Sequence, residues 1–444
     1  MAQAIEQTYT ELHRQLAHEL PGHDTVWLQD LRAQALARFA SIGLPSARQE
    51  AWKYTRLTPL LKEAYRPAAV AQDDVSRTSL QQLPWAELDA VRLVFVDGLF
   101  SVSLSDLTAL TKGATIVDLA RAVREDSGHV REKLAECAMS GEALTVLNTA
   151  FVGSGVLIDI AQGCDLSPLI HLHYVSSGAD RVACYAHNFV MMAPHSRATV
   201  LETYHCPDGE AYVTNIQMDV TLAEGAHLDH YKLQLEGSRC THLATARIEQ
   251  ERSSRYQNHV LALGAGLMRN DLQLILKGQG AEAALDGVFL AKGRQHKDMQ
   301  IRIDHTVPSC VSHTDYHGIA EQGGRGVFGG RVKVHPQAQL SNARMLSRNL
   351  LLSRDAEIDT RPQLEIFADD VKCSHGATIG QLDEEALFYL RSRGIDEAQA
   401  RNLVVYAFAA ESIEQYPNQI LRKLARQLLI NHLPQGNQLQ ELLG

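Results

Sequence analysis

Ala198-Thr199-Val200-Leu201-Glu202-Thr203-Tyr204 and His227-Leu228-Asp229-His230-Tyr231-Lys232-Leu233-Gln234-Leu235 are short runs of β-type residues that stop at turn-forming ones. Similar runs follow one another from about Gly155 to Gly380, separated by Gly, Asp, Asn and Ser, with no room for an ordinary helix between them. More than 200 residues of successive strands without crossover helices leave a sandwich, a barrel, a propeller or a β-solenoid. A small residue, any residue and an aliphatic one recur in Ala338-Gln339-Leu340, Ala356-Glu357-Ile358 and Ala377-Thr378-Ile379, at spacings of 18 and 21 residues. That spacing suits one coil of a parallel β-helix, whose apolar face is buried only by stacking on the next coil.

On either side the pattern becomes helical. Leu28, Leu31, Ala35, Phe39 and Ile42 recur every three or four residues until Gly43 and Pro45 interrupt them. A polar stretch from about Ala71 to Ser79 precedes the run Val91 to Leu104, where Asp97-Gly98 between apolar segments predicts a hairpin. Helical patterning resumes over 116–149. Beyond Gly380, Asp383 and Asp396 are placed to cap two helices, and Ile420, Leu424 and Leu428 repeat every four residues in a third. The expected organisation is a mostly helical region with a small hairpin over 1–150, a β-helix core over 151–380 and a helical region over 381–444. The last helices either fold back on the β-region or offer a docking surface, and periodicity alone does not separate the two.

With 42 Lys plus Arg against 52 Asp plus Glu, the 444-residue chain carries a formal charge of −10. Neither nucleic acid nor an anionic membrane is the expected partner. No cationic start with an apolar run opens the chain and no long apolar segment follows, so a cytoplasmic location is expected. The seven cysteines are scattered and contain no C-x-x-C, which argues against a disulfide framework, a zinc knuckle or a self-contained cluster site. There is no P-loop, H-E-x-x-H or G-x-S-x-G.

Chemistry concentrates in Asp369-Asp370-Val371-Lys372-Cys373-Ser374-His375-Gly376-Ala377-Thr378-Ile379-Gly380. On a strand, Cys373 and His375 share a face and bring a sulfur and a nitrogen donor together. The pair suits zinc, iron or an iron–sulfur cluster, but two ligands do not fill a coordination sphere, and a second chain is the natural source of the rest. The alternative is a buried inert cysteine beside a histidine that satisfies a carbonyl. His171-Leu172-His173 reads as one exposed strand face, and His305, His313 and His317 gather loosely around Cys310.

The run from Ala368 to Glu385, continued by Phe388-Tyr389-Leu390-Arg391-Ser392-Arg393-Gly394-Ile395, resembles the C-terminal signature of the SufB/SufD family. Glu50-Ala51-Trp52-Lys53-Tyr54-Thr55 resembles the same family's N-terminal motif. Gly376, where SufB-like chains carry glutamate, is similar to the SufD branch. The resemblance implies a mainly β fold, a right-handed parallel β-helix core flanked by helical N- and C-terminal domains. It also implies a non-catalytic subunit of the SUF iron–sulfur assembly complex, with ATP hydrolysis residing in a partner. Those partners would be a SufB-like scaffold and a SufC-like ABC-type ATPase, with a homodimer open for the isolated chain. The branch's important histidine falls on His375, with Cys373 as the adjacent donor to a transient cluster or iron that is shared with the scaffold and not bound stably by this chain alone; a flavin contact is left open. The C-terminal helices, with Ile420, Leu424 and Leu428, would receive the ATPase. Two other readings are a standalone β-helix enzyme and a purely structural subunit in which Cys373 and His375 merely pack.

Overall fold

The computed structural model describes residues 2–62, 65–68, 75, 77–179, 181–434 and 439–440. Of the polar stretch expected between Ala71 and Ser79, residues 71–74 and 76 lie outside the described residues. From Val156 to Gly380 the chain alternates between two sheets, each strand pairing in parallel with the strand two places on. Sheet I runs from Val156–Ile160 through Val182–Met192, Tyr212–Leu222, Thr241–Gln250, Leu267–Leu276, His296–His305 and Arg325–Val334 to Glu357–Ile366. Sheet II runs from Leu169–Val175 through Arg197–Cys206, His227–Glu236, Arg255–Ala262, Glu282–Lys292, Val311–Glu321 and Asn342–Leu351 to Lys372–Gly380. The result is a β-solenoid of about seven turns.

Its coil length corrects the expected 18 to 21 residues. Equivalent positions on stacked coils lie 26 to 32 residues apart, as in Thr241 beside Leu267 and Arg325 beside Glu357. Ala338 and Ala356 lead into strands of opposite sheets, so they mark half-coils, and Ala377 sits inside a strand. One corner of each coil holds a left-handed residue: His195, Gly225, Ser253, Gly280, Ser309 and Leu340. The amide of each at His195, Gly225, Ser253, Ser309 and Leu340 donates to a carbonyl of the next coil, which locks the stack in register. Between the sheets, alternate side chains such as Ile170, Val200, Leu285, Ile301 and Met345 are buried, each contributing roughly 1.5–3 kcal/mol of hydrophobic stabilisation.

The N-terminal region packs on the outer face of sheet I through helices Val26–Ile42, Gly128–Ser140 and Ala143–Phe151. Leu28, Leu31, Ala35 and Phe39 are buried there, whereas Ile42 is exposed. The hairpin Ala90–Val96/Leu99–Asp106 turns at Asp97 and Gly98, both with positive φ, and extends sheet II beside Leu169–Val175. The helical pattern expected from 116 begins instead as the strand Ala114–Asp118, which pairs with Val156–Ile160. Strand pairing there outweighs a weak local helical preference.

Helices Glu384–Ser392, Glu397–Ile413 and Gln419–His432 close the described chain, their N-termini capped by the side chains of Asp383, Asp396 and Asn418. They fold back on the outer face of sheet II, where Leu387, Val405, Ile413 and Leu428 meet Leu201, Tyr231, Leu261 and Ile319. Beneath them, buried Asp286 faces His259 across 3.5 Å and also Asp315, His317 and Tyr416. Burial and the Asp315 charge outweigh His317 and push its carboxyl up to about 7. The folded chain therefore holds a proton on Asp286 that the unfolded chain releases near 4. Its stabilising effect is full below that value and is lost as pH rises through about 7. Asp286→Asn is expected to stabilise the protein on the order of 2 kcal/mol at pH 8 and to change little at pH 4, as read by thermal melts at the two values.

Candidate metal site at the end of the solenoid

Among the described residues strand Lys372–Gly380 is the last of sheet II and pairs only with Asn342–Leu351. Cys373 stands in register with Ala343 and His375 with Met345, two residues whose side chains lie in the solenoid interior. The final coil therefore aims both donors along the interior columns, with no further coil stacked over them among the described residues. Cys373 is half-buried against the core, and His375 is exposed. Among the described residues both terminal strands, Glu357–Ile366 and Lys372–Gly380, end their sheets with an unpaired backbone edge. Ile366, Phe367 and Ile379 are exposed beside that edge.

Burial raises the Cys373 thiol above its ordinary value, opposed by a backbone hydrogen bond from the Ala343 position. The free sulfur thus stays protonated at neutral pH, and a cation would have to displace its proton. Among the described residues no third His, Cys, Asp or Glu completes a ligand set around Cys373 and His375. Two soft or borderline donors at an open strand edge form half a coordination sphere.

The remaining expected residues are dispersed. His171 and His173 are buried, not exposed: Trp85 packs edge-on against His173 and donates its indole N–H to it across 3.0 Å, while His171 stacks on His173 and meets the Thr203 hydroxyl at 2.8 Å. The segment that carries Trp85, just ahead of the hairpin, supplies this cover from outside the strand run. His305 faces the interior and bonds Ser312, His317 faces outward to the carbonyl of Phe408, and Cys310 donates to Gly278, so these residues share no site. Ile420, Leu424 and Leu428 do not form one exposed stripe. Ile420 is 62 % exposed, Leu424 packs partly on the core and Leu428 is 2 % exposed, because the four-residue repeat drifts around the helix as it docks on sheet II. Phe388 and Tyr389 are the other large apolar residues exposed on these helices.

Two constellations escaped sequence reasoning. His187 and Asp219, on adjacent strands of sheet I, approach to 2.6 Å, and Cys137 of helix Gly128–Ser140 brings its donor atom within 4.8 Å of theirs. Burial raises that thiol strongly. Inside the solenoid, Glu202 takes hydrogen bonds from Tyr204 and His230. Burial would raise its carboxyl, but Lys232, His230 and Tyr204 outweigh that and hold it at about 2. The coil period of about 30 residues relates His187 to Asp219 and Glu202 to His230, whereas Cys137 comes from a helix outside the coils.

Comparison with known proteins agrees with this architecture. Residues 174–408 match the model of the SUF system FeS cluster assembly, SufBD core domain, and residues 3–172 match the SufBD protein N-terminal region. An iron-sulfur cluster assembly SufBD family protein of Synechocystis is 31% identical over 439 residues, covering 96% of each chain. The iron-sulfur cluster assembly protein SufD of Escherichia coli is 31% identical over 406 residues, 91% of this chain and 92% of that one. Protein ABCI7, chloroplastic, of Arabidopsis thaliana is 28% identical over 407 residues, 90% of this chain and 85% of that one. Among the described residues no helix is long and apolar enough to cross a membrane. With both of its regions matched across nearly the whole length, the chain belongs to the SufBD family of SUF-system iron–sulfur cluster assembly proteins.

Proposed function

We propose that this chain is the SufD-type, non-catalytic subunit of a cytoplasmic SUF complex, and that its last coil joins a SufB-like scaffold. The observation that carries this reading is the open end of the solenoid, where Cys373 and His375 stand in interior columns beside two unpaired strand edges. An added strand from a partner would satisfy those edges and cover Ile366, Phe367 and Ile379. Nascent cluster iron, the cargo of the assembly, would then meet His375 and Cys373 from one side and the partner's donors from the other. A neutral imidazole is a good borderline ligand for iron(II). The C-terminal helices would receive a SufC-like ATPase through exposed Phe388, Tyr389 and Ile420, while Leu428 holds the helix to sheet II.

Co-purification with tagged scaffold and ATPase tests both surfaces at once. Ile379→Asp is expected to lose the scaffold at least tenfold while retaining the ATPase, and Phe388→Asp to do the reverse. Both variants should melt like the parent, since both positions are exposed. Retention of both partners by either variant would count against the assignment of that surface.

A further inference from the structure

The family-like motif Glu50 to Thr55 has a part that the assembly role does not use. Trp52 and Thr55 are buried against sheet I, whereas Lys53 and Tyr54 between them are exposed. The Arg269 guanidinium stacks on Trp52 at 3.7 Å and donates to the Ala51 carbonyl at 2.8 Å, and the Thr55 hydroxyl donates to Asp298 at 2.5 Å. The segment is thereby pinned with Lys53 and Tyr54 facing a groove of about 850 Å³ at the coil corners that lead into sheet I.

Lys53, Arg56 and Lys62 line one wall of that groove, and Arg181, Arg239, Arg294 and Arg325 line the other. Among the described residues no Asp or Glu lines it. Arg325 pairs with Glu357 at 3.4 Å on the rim, and Arg239 donates to the Gly209 carbonyl at 2.5 Å. The register makes the arrangement regular. Arg181, Arg239 and Arg294 each stand two residues before the mutually aligned positions Ala183, Thr241 and His296, on alternate coils. With strands about 4.8 Å apart, successive arginines of this ladder are spaced by roughly 10 Å. The positions between them on the intervening coils are Ala211 and Ala265, small enough to leave the floor open.

Seven cations gathered in a chain of net charge −10 repel one another, a repulsion that Glu357 and Asp359 offset at Arg325 and Lys53. Guanidinium forks match phosphate oxygens bidentately, and the volume falls within the range of small-molecule sites. We propose that this groove binds a small phosphorylated ligand, with its phosphates on the arginine ladder and Tyr54 available to stack an attached ring. The site is separate from Cys373 and His375 and does not depend on the assembly reading above.

Calorimetric titration of the full-length protein tests it with pyrophosphate, ADP, adenosine, a single-stranded RNA decamer and a poly-glutamate peptide. Pyrophosphate and ADP are expected to bind and adenosine is not. The double variant Arg239→Gln/Arg294→Gln should weaken both phosphate ligands roughly a hundredfold, about tenfold for each charged hydrogen-bond donor lost, with an unchanged melt because both side chains are exposed. Arg14→Gln, on a helix elsewhere on the surface, should bind like the parent. Equal affinity for pyrophosphate and ADP supports recognition of phosphate alone, and tighter ADP binding supports the added contact at Tyr54. Absence of binding by both, or equal binding by the double variant, would overturn the proposal. So would tighter binding of the RNA or the peptide, which would make the groove a macromolecular surface.

Discussion

His375→Ala, purified with its scaffold and ATPase partners, is expected to remain in the complex and to lose iron and acid-labile sulfide roughly tenfold or more. The side chain is exposed at the last coil, so truncating it removes no buried packing and leaves the paired edge of Lys372–Gly380 on Asn342–Leu351 intact. What is lost is a nitrogen donor at a site where this chain offers only two. Even residues that merely orient a metal ligand alter metal affinity by about 10–100-fold, so a directly bound donor should do at least as much. Cys373→Ala separates the roles further, because the half-buried thiol contributes both packing and a sulfur. A melt shifted down with cluster content retained would mark Cys373 as structural. Unchanged iron and sulfide in the His375 variant would leave the purely structural reading of this subunit standing.

Arg269→Ala should produce the largest loss of stability, about 3–5 kcal/mol by denaturant titration. The guanidinium is 1 % exposed and forms a fork to Asp271 at 2.7 and 3.0 Å and a further bond to Asp298 at 2.6 Å. Both carboxylates are themselves buried, so removing the cation strands two negative charges in low dielectric. The same group supports Trp52 and the Ala51 carbonyl, and its loss should also loosen the segment Glu50 to Thr55 from the solenoid. Arg269→Lys should rescue little, since an ammonium cannot reproduce the fork or the stacking. A cost under about 1 kcal/mol for Arg269→Ala would show that the network is solvated and that the segment is held by apolar contacts alone.

Much of the fold can be read from local residue order, and its failures have identifiable causes. The hairpin was legible because Asp97-Gly98 supplies the two positive φ values that a tight turn needs. The three C-terminal helices were legible because Asp383 and Asp396 are strong caps and Gly394 a strong stop. The coil period was not. The corner with a left-handed residue is occupied in turn by His, Gly, Ser, Gly, Ser and Leu, and at all of these but Gly280 the amide donated to the next coil holds that conformation whatever the side chain. Ala338, Ala356 and Ala377 imitated a repeat because small residues suit several tight places in a solenoid. At the site, Cys373 and His375 were legible together because strand alternation puts i and i+2 on one face. The buried state of His171 and His173 was not, because Trp85 reaches His173 from a separate segment and Thr203 meets His171 from the next coil.

Alternation along single strands, caps and turn residues are properties of neighbours in sequence, and they sufficed to specify a parallel stack of strands between helical regions and a Cys-x-His pair on its last strand. Which coil lies uncovered, which helix face sinks into sheet II and which arginines line up across alternate coils depend on contacts between residues some 30 or more positions apart. Those contacts form only when coils stack, because hydrogen bonding between strands and burial between sheets are properties of the assembled layers and leave little mark on any one of them.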